Sequence, residues 1–241
     1  MHNVKSGDPN LGIITNALVI VFGGHFGGKF HKKMSRENFH ILGIAIMILS
    51  LVGFLENMYN VEGTRISSEN LIIVLFAYIM GNKLGEMLRL EDRLSNLSKT
   101  DSTKANAFID ATLFFGVGGL QICGPIALAI NGDNSQLFLK TFVDAPFAII
   151  FGSAYGKVVS LSALPVAFIQ ALIVALAYVA SPFFSAQLTS QLCAMGFVIL
   201  FFSGFNLMSD GKNKISNTNM MPSIFLIIIY HLIIGAWELV L

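Results

Sequence analysis

Apolar residues recur along the chain in runs longer than the helices of most soluble proteins. The runs have roughly the 17–25 residues that a helix needs to cross a bilayer, and short polar connections separate them. Only helices and closed barrels satisfy their backbone groups in lipid, and these runs are too long and too uniformly apolar for barrel strands. The pattern therefore predicts an all-α polytopic membrane protein with eight spans, near residues 13–30, 39–56, 71–88, 107–130, 138–158, 164–184, 192–208 and 221–241.

Composition agrees with this class and narrows the organisation. The 241 residues are 54% hydrophobic and only 12% charged, whereas a soluble domain carries about 25% charged residues. No stretch is left over for a soluble domain, so residues 1–241 are predicted to form a single transmembrane domain. The net charge of +1 offers no basic surface for nucleic acid, which makes the lipid bilayer the expected partner.

Lysine and arginine are concentrated in every second connection. These residues favour the cytoplasmic side, which predicts that these connections are cytoplasmic and that both termini lie outside. The residues that set this orientation are Lys29, Lys32, Lys33, Arg36, Arg89, Arg93, Lys99, Lys104, Lys157, Lys212 and Lys214.

A shift of 128 residues superimposes two similar segments. Asn16 then falls on Asp144, and the pair Gly24 and Gly28 falls on Gly152 and Gly156. We predict two four-span repeats, residues 13–130 and 137–241, that are parallel if four spans separate them and inverted if the fourth is re-entrant. The four glycines are predicted to pack helices closely, either within the chain or in a homo-oligomer.

The fourth run contains residues that break helices. Gly118, Gly119, Gly124 and Pro125 lie in its middle, together with the polar Gln121. The interpretations are a tightly packed glycine-rich helix, a helix broken within the membrane, or a re-entrant hairpin that would reduce the spans to seven. Broken helices are tolerated only where they are buried in protein or line a cavity, so a break here would mark a binding site.

The fifth run holds two opposite charges, Lys140 and Asp144, one helical turn apart. One interpretation is a structural ion pair at the outer interface. The other is a cation or proton site, in which Asp144 titrates or coordinates and Lys140 sets its pKa. Asn16, at the equivalent place in the other repeat, is expected either to face Asp144 or to cap its own helix.

The order and spacing of several motifs resemble a family that spans nearly the whole chain. The family is the bacterial integral membrane proteins catalogued as domain of unknown function 554, the YqgA-like proteins. The resemblance implies a polytopic inner-membrane protein and assigns no substrate. The motifs are Thr15-Asn16, Gly85-Glu86-x-Leu88-x-x-Glu91, Phe115-Gly-Val-Gly118, Lys140-Thr-x-x-Asp144, Pro165 with Gln170, Gly204-x-Asn206-Leu207 and Asn219-x-x-Pro222.

These observations favour a secondary transporter or channel for a small solute or ion. Its site is predicted between spans one, four and five, and the candidate binding residues are Asp144, Asn16, Gln121, Lys140 and Asn206. The alternative is a non-transporting scaffold or partner subunit of a larger membrane complex. The sequence contains none of the common hydrolase, metalloprotease or nucleotide-binding motifs, so we expect no enzyme activity, no cofactor and no resident metal.

Overall fold

The computed structural model describes residues 10–29, 36–58, 60–62, 65–67, 69–97, 103–116, 119–209 and 214–238. Within these ranges the chain is almost entirely helical, which confirms the all-α class. The helices are α1 (Leu11–Phe26), α2 (Arg36–Met58), α3 (Glu69–Met87), α4 (Leu90–Leu97), α5 (Thr103–Gly116), α6 (Gly119–Asn131), α7 (Ser135–Tyr155), α8 (Ala163–Val179), α9 (Ala186–Met208) and α10 (Pro222–Glu238).

Short elements connect some of these helices. The connection from α2 to α3 contains an antiparallel pair of strands, β1 (Asn60–Glu62) and β2 (Arg65–Ser67), with Asn60 opposite Ser67. Segments of 3-10 helix are Gly27–Lys29, Gly156–Ser162, Ser181–Phe183 and Thr218–Met220.

Each predicted span coincides with a helix, and the fourth coincides with the pair α5 and α6. By length and composition, three helical segments could cross a membrane: His40–Met58, Ser135–Val179 and Ala186–Met208. The count rises to five if each bent pair, α3 with α4 and α5 with α6, is one span. α1 and α10 are apolar but shorter. A polytopic protein is therefore confirmed, and the described residues hold three to five candidate spans, where eight, or seven with a re-entrant fourth, were expected.

The fourth predicted span is indeed interrupted. α5 ends at Gly116, α6 begins at Gly119, and the two helices are bent by 52°. Gly118 lies outside the described residues. Gly124 and Pro125 do not contribute to the break, because both are buried inside α6. A proline costs a helix one backbone hydrogen bond, and Pro125 does not end this helix, whose Gly124 gives room to Leu137 of α7.

The contacts of the chain divide into two compact units. The first comprises Met1–Ser35 and Leu94–Ser181, and the second comprises Arg36–Arg93 and Pro182–Leu241. Each unit therefore combines an early and a late part of the chain. The proposed duplication into residues 13–130 and 137–241 stays a prediction.

The first unit is organised around the contact between α1 and α7. A side chain at Gly152 would lie 2.5 Å from the carbonyl oxygen of Gly23 and 2.7 Å from that of Gly24, so only glycine permits this approach. Gly28 lies in the 3-10 segment after α1. Gly156 was also predicted to pack helices, but a Cβ atom added there would meet nothing within 4 Å, and its φ of +77° lies at the end of α7. Such a positive φ is the conformation that glycine adopts most readily.

The second unit contains an equivalent glycine contact between α2 and α9. A Cβ atom on Gly43 would lie 2.7 Å from the carbonyl oxygen of Gly204, and the reverse distance is the same. α9 begins with a conventional N-cap, in which the Ser185 hydroxyl accepts a hydrogen bond from the Leu188 amide at 3.0 Å.

Large apolar side chains lie on the outside of several helices. Val179 is 79% exposed, Ile72 76% and Phe142 75%. Such surfaces are expensive in water and normal in lipid, which agrees with a membrane protein.

Candidate functional site

The centre of the candidate site is a buried ion pair on α7. The Nζ atom of Lys140 lies 2.6 Å from Oδ2 of Asp144, and both residues are only 5% exposed. Their spacing places both side chains on the same face of the helix. An ion pair removed from water is expensive unless further hydrogen bonds satisfy its remaining atoms.

Two of those hydrogen bonds come from other helices. Lys140 also donates to the backbone carbonyl of Phe115 at 3.0 Å. Asn16 of α1 donates from Nδ2 to the same Asp144 oxygen at 2.8 Å. Residues related by the 128-residue shift are therefore in direct contact. Asn16 does not cap its helix, because it lies in the interior of α1 and is fully buried.

The Phe115 carbonyl belongs to the last turn of α5, just before the break. The final carbonyls of a helix have no partner within it, and they carry the negative end of the helix dipole. The Lys140 ammonium thus contacts two oxygen groups, one carboxylate and one helix-terminal carbonyl. This explains how a lysine remains buried on an apolar helix.

An amide chain extends the network from Asn16 to α6 and α8. Gln170 of α8 donates from Nε2 to Asn16 Oδ1 at 3.2 Å and to Gln121 Oε1 at 3.0 Å. Gln121 of α6 donates in turn to the carbonyl of Val166 at 3.2 Å. Asn16 and Gln170 are 0% exposed and Gln121 is 1% exposed. The five side chains form one buried polar network within the first unit.

Aromatic rings pack on the same helix face one and two turns beyond Asp144. The Phe114 ring lies 4.7 Å from that of Phe147, and the Phe115 ring lies 5.7 Å from that of Phe151. Phe115 and Phe147 are almost fully buried. Apolar surroundings of this kind lower the local dielectric, which strengthens electrostatic interactions.

Four of the five predicted binding residues are therefore brought together, and Asn206 is not. Asn206 lies on α9 in the second unit, where its amide forms two hydrogen bonds with the backbone of Ile215, at 2.7 and 2.8 Å. It holds the connection between α9 and α10 in place. An asparagine near a helix end often bonds local backbone in this way, because its short amide competes for main-chain groups.

Gln170 is the member of the network that sequence reasoning did not select. It was visible as the glutamine of an otherwise apolar run, but one glutamine in a span is usually only an interhelical hydrogen bond. The Phe115 carbonyl was also missed, because a main-chain oxygen leaves no signal in residue type. Only the position of the helix break could have indicated it.

The fold and this buried network define a polytopic all-α membrane protein with a buried ion pair. Residues 11–232 match the family described as protein of unknown function (DUF554), and the chain belongs to that family. This confirms the resemblance noted in the sequence.

Two relatives cover nearly the whole chain. The "Uncharacterized membrane protein YdfK" of Bacillus subtilis (strain 168) is 26% identical over 221 residues, which are 89% of this chain and 93% of the relative. The "Uncharacterized protein YqgA" of Escherichia coli (strain K12) is 22% identical over 229 residues, which are 90% and 94% of the two chains. No solved structure matches the chain.

Proposed function

We propose that this protein is a secondary transporter or channel of the bacterial inner membrane, with both termini outside, that moves a small solute or ion. Its site is the network between α1, α6, α7 and α8 and the end of α5. The observation that carries the proposal is the Lys140–Asp144 pair, which is buried and shares its ammonium with the terminal carbonyl of an interrupted helix. Ionisable residues at such positions mark ion pathways in membrane proteins.

The chemistry of the two oxygen groups indicates the class of ion. A carboxylate oxygen and a helix-terminal carbonyl are the ligands with which transporters coordinate small cations at broken helices. Lys140 Nζ binds both of them at 2.6 and 3.0 Å, so the lysine occupies the place that a cation would take. In the proposed cycle a monovalent cation such as Na⁺ displaces the ammonium from Asp144, and a proton competes for the same oxygen.

Binding can be tested through stability, because a ligand that binds only the folded state raises the unfolding temperature. Purified protein would be melted in NaCl or KCl and, at equal ionic strength, in choline chloride. We expect one metal cation to raise the Tm of the wild type and to leave that of Asp144→Asn unchanged. Glu91→Gln, an acid-to-amide change in the second unit, should retain the shift. Equal melting in all salts would refute cation binding at Asp144.

The alternative is a non-transporting scaffold or partner subunit. It is favoured by the same network, since Lys140 and Asp144 already have partners within the chain. The glycine faces and the amphipathic α4 would then serve as contact surfaces. This alternative predicts that no cation shifts the Tm and that Asp144→Asn affects stability alone.

A further inference from the structure

The hydrogen bonds of the buried network run in one direction. Asp144 in its ion pair only accepts, so Asn16 must present its NH₂ group there and its oxygen to Gln170. Gln170 must therefore present its own NH₂ group to Asn16. That same group also donates to Gln121, whose NH₂ group is left for the carbonyl of Val166. The charge on Asp144 thus fixes the orientation of three amides.

Within this buried network, one acceptor atom has no donor among the residues that the structure describes. It is Oε1 of Gln170, on a side chain that is 0% exposed. A buried acceptor without a donor costs free energy, so its retention calls for a physical reason. A second arrangement of the network supplies one.

In that arrangement Asp144 is neutral. A proton taken up from the aqueous phase converts one carboxylate oxygen into an O–H donor. Asn16 can then turn its oxygen toward Asp144 and its NH₂ group toward Gln170. Gln170 would turn its amide and meet that group with Oε1, the atom that now lacks a donor, while its NH₂ group takes the former place of Oε1.

Gln121 completes the reversal. Its NH₂ group can donate to the same Gln170 oxygen. The hydrogen bond from that NH₂ group to the carbonyl of Val166 is then lost. Gln121 lies in the first turn of α6, directly after the break that begins beyond Gly116. The reversal would therefore break the hydrogen bond that links the start of α6 to α8.

We infer that Gln170 is a positioning residue that transmits the charge state of Asp144 through Asn16 to Gln121 at the start of α6. The inference deepens the proposed function, because it requires Asp144 to become neutral during the working cycle. The transmission itself does not depend on transport and can be measured in its absence.

The test asks whether Asp144 and Gln121 are energetically coupled and whether Gln170 carries the coupling. Residues that share no partner usually have additive effects on stability, and a network makes them non-additive. Asp144→Asn, Gln121→Met and their combination would be melted with Gln170 intact and again with Gln170→Met. The amide of Asp144→Asn offers a donor as well as an acceptor, so it no longer fixes the direction of the hydrogen bonds in the network.

With Gln170 intact, we expect the double variant to lose less Tm than the two single losses together. With Gln170→Met, the losses should add. Additivity in both backgrounds would overturn the inference, and so would equal coupling in both, since it would then bypass Gln170. Asp144→Asn combined with Gln191→Met, from the second unit, is the matched control and should be additive.

If Gln170→Met does not fold, Gln170→Glu serves instead, because it keeps the volume and offers one donor at most. The coupling should then fall, and unchanged coupling would contradict the inference. Cation-dependent melting of single variants remains a separate readout. A cation shift without coupling would refute the relay alone, whereas coupling without a cation shift would refute cation binding at Asp144 and leave the relay.

Discussion

The two compact units place their charges differently. Each contains two helices that meet at glycines, α1 with α7 in the first and α2 with α9 in the second, and each buries amide side chains. In the first unit the ion pair lies at the centre, with its side chains 6% and 8% exposed. In the second, the pair between Lys214 and Glu91 is 63% and 35% exposed.

The corresponding network of the second unit consists of amides and one histidine, of which Asn70 and Gln191 are buried. Asn70 Oδ1 accepts from Gln187 at 3.1 Å and from Gln191 at 2.8 Å. The oxygen of Gln191 lies 3.0 Å from Nε2 of His231. Such a network holds helices together without an ion pair at its core. The comparison teaches that helix packing in this protein does not require buried charge, so the charge in the first unit calls for another reason.

The largest effect on stability should come from breaking the buried ion pair of the first unit. Breaking the more exposed pair of the second unit should have a much smaller effect. Lys140→Met leaves Asp144 buried without its cation, and breaking a buried pair costs about 3–5 kcal/mol. Lys214→Met breaks the more exposed pair, which is worth about 1 kcal/mol or less. Urea unfolding in detergent would measure both changes in the free energy of unfolding.

The double variant Lys140→Met with Asp144→Leu provides the control for this contrast. It removes both charges and should recover much of the stability lost by Lys140→Met. Equal losses for Lys140→Met and Lys214→Met would show that burial does not distinguish the two pairs, and the comparison between units would fail.

A smaller loss of stability, similar in both units, is expected from alanine substitutions at the glycine contacts. Gly152→Ala and Gly204→Ala each place a methyl group within 2.7 Å of a backbone oxygen across the helix contact. Overpacking of this kind costs about 1–3 kcal/mol. Gly116→Ala is the matched control, because its nearest neighbour would be 3.6 Å away.

Melting temperatures of the three alanine variants would measure this effect. If Gly116→Ala destabilised the protein as much as the other two, the loss would reflect backbone conformation and not the close approach of helices. If only one unit responded, the shared mode of packing would be refuted.

Much of the fold could be predicted from the sequence because lipid imposes helices on long apolar runs. The helices followed from spacing and residue type, whereas the interruption of the fourth run and the meeting of Asn16 with Asp144 were each one of the alternatives that the sequence left open. The site of the break was less predictable, since Gly124 and Pro125 are as typical of a break as Gly119. In the structure Gly124 lies against Leu137 of α7, and the chain stays helical through Pro125.

The sequence could indicate only those site residues whose type is unusual for their surroundings. Charged side chains are unusual in apolar runs, which is why Lys140 and Asp144 were selected. Asn206 has the same residue type as Asn16 but bonds its local backbone. Gln170 joined the network only because α8 packs against both α1 and α6, and no local pattern contains that information.

The account rests on Asp144 as the place where a monovalent cation binds during transport. The most direct measurement is uptake of radioactive sodium, or rubidium as a tracer for potassium, into liposomes that contain the purified protein. Glu91→Gln should match the wild type, and Asp144→Asn should fall to the rate of empty liposomes while it remains folded. Uptake by Asp144→Asn at the wild-type rate, or wild-type uptake no faster than that of empty liposomes, would contradict the account.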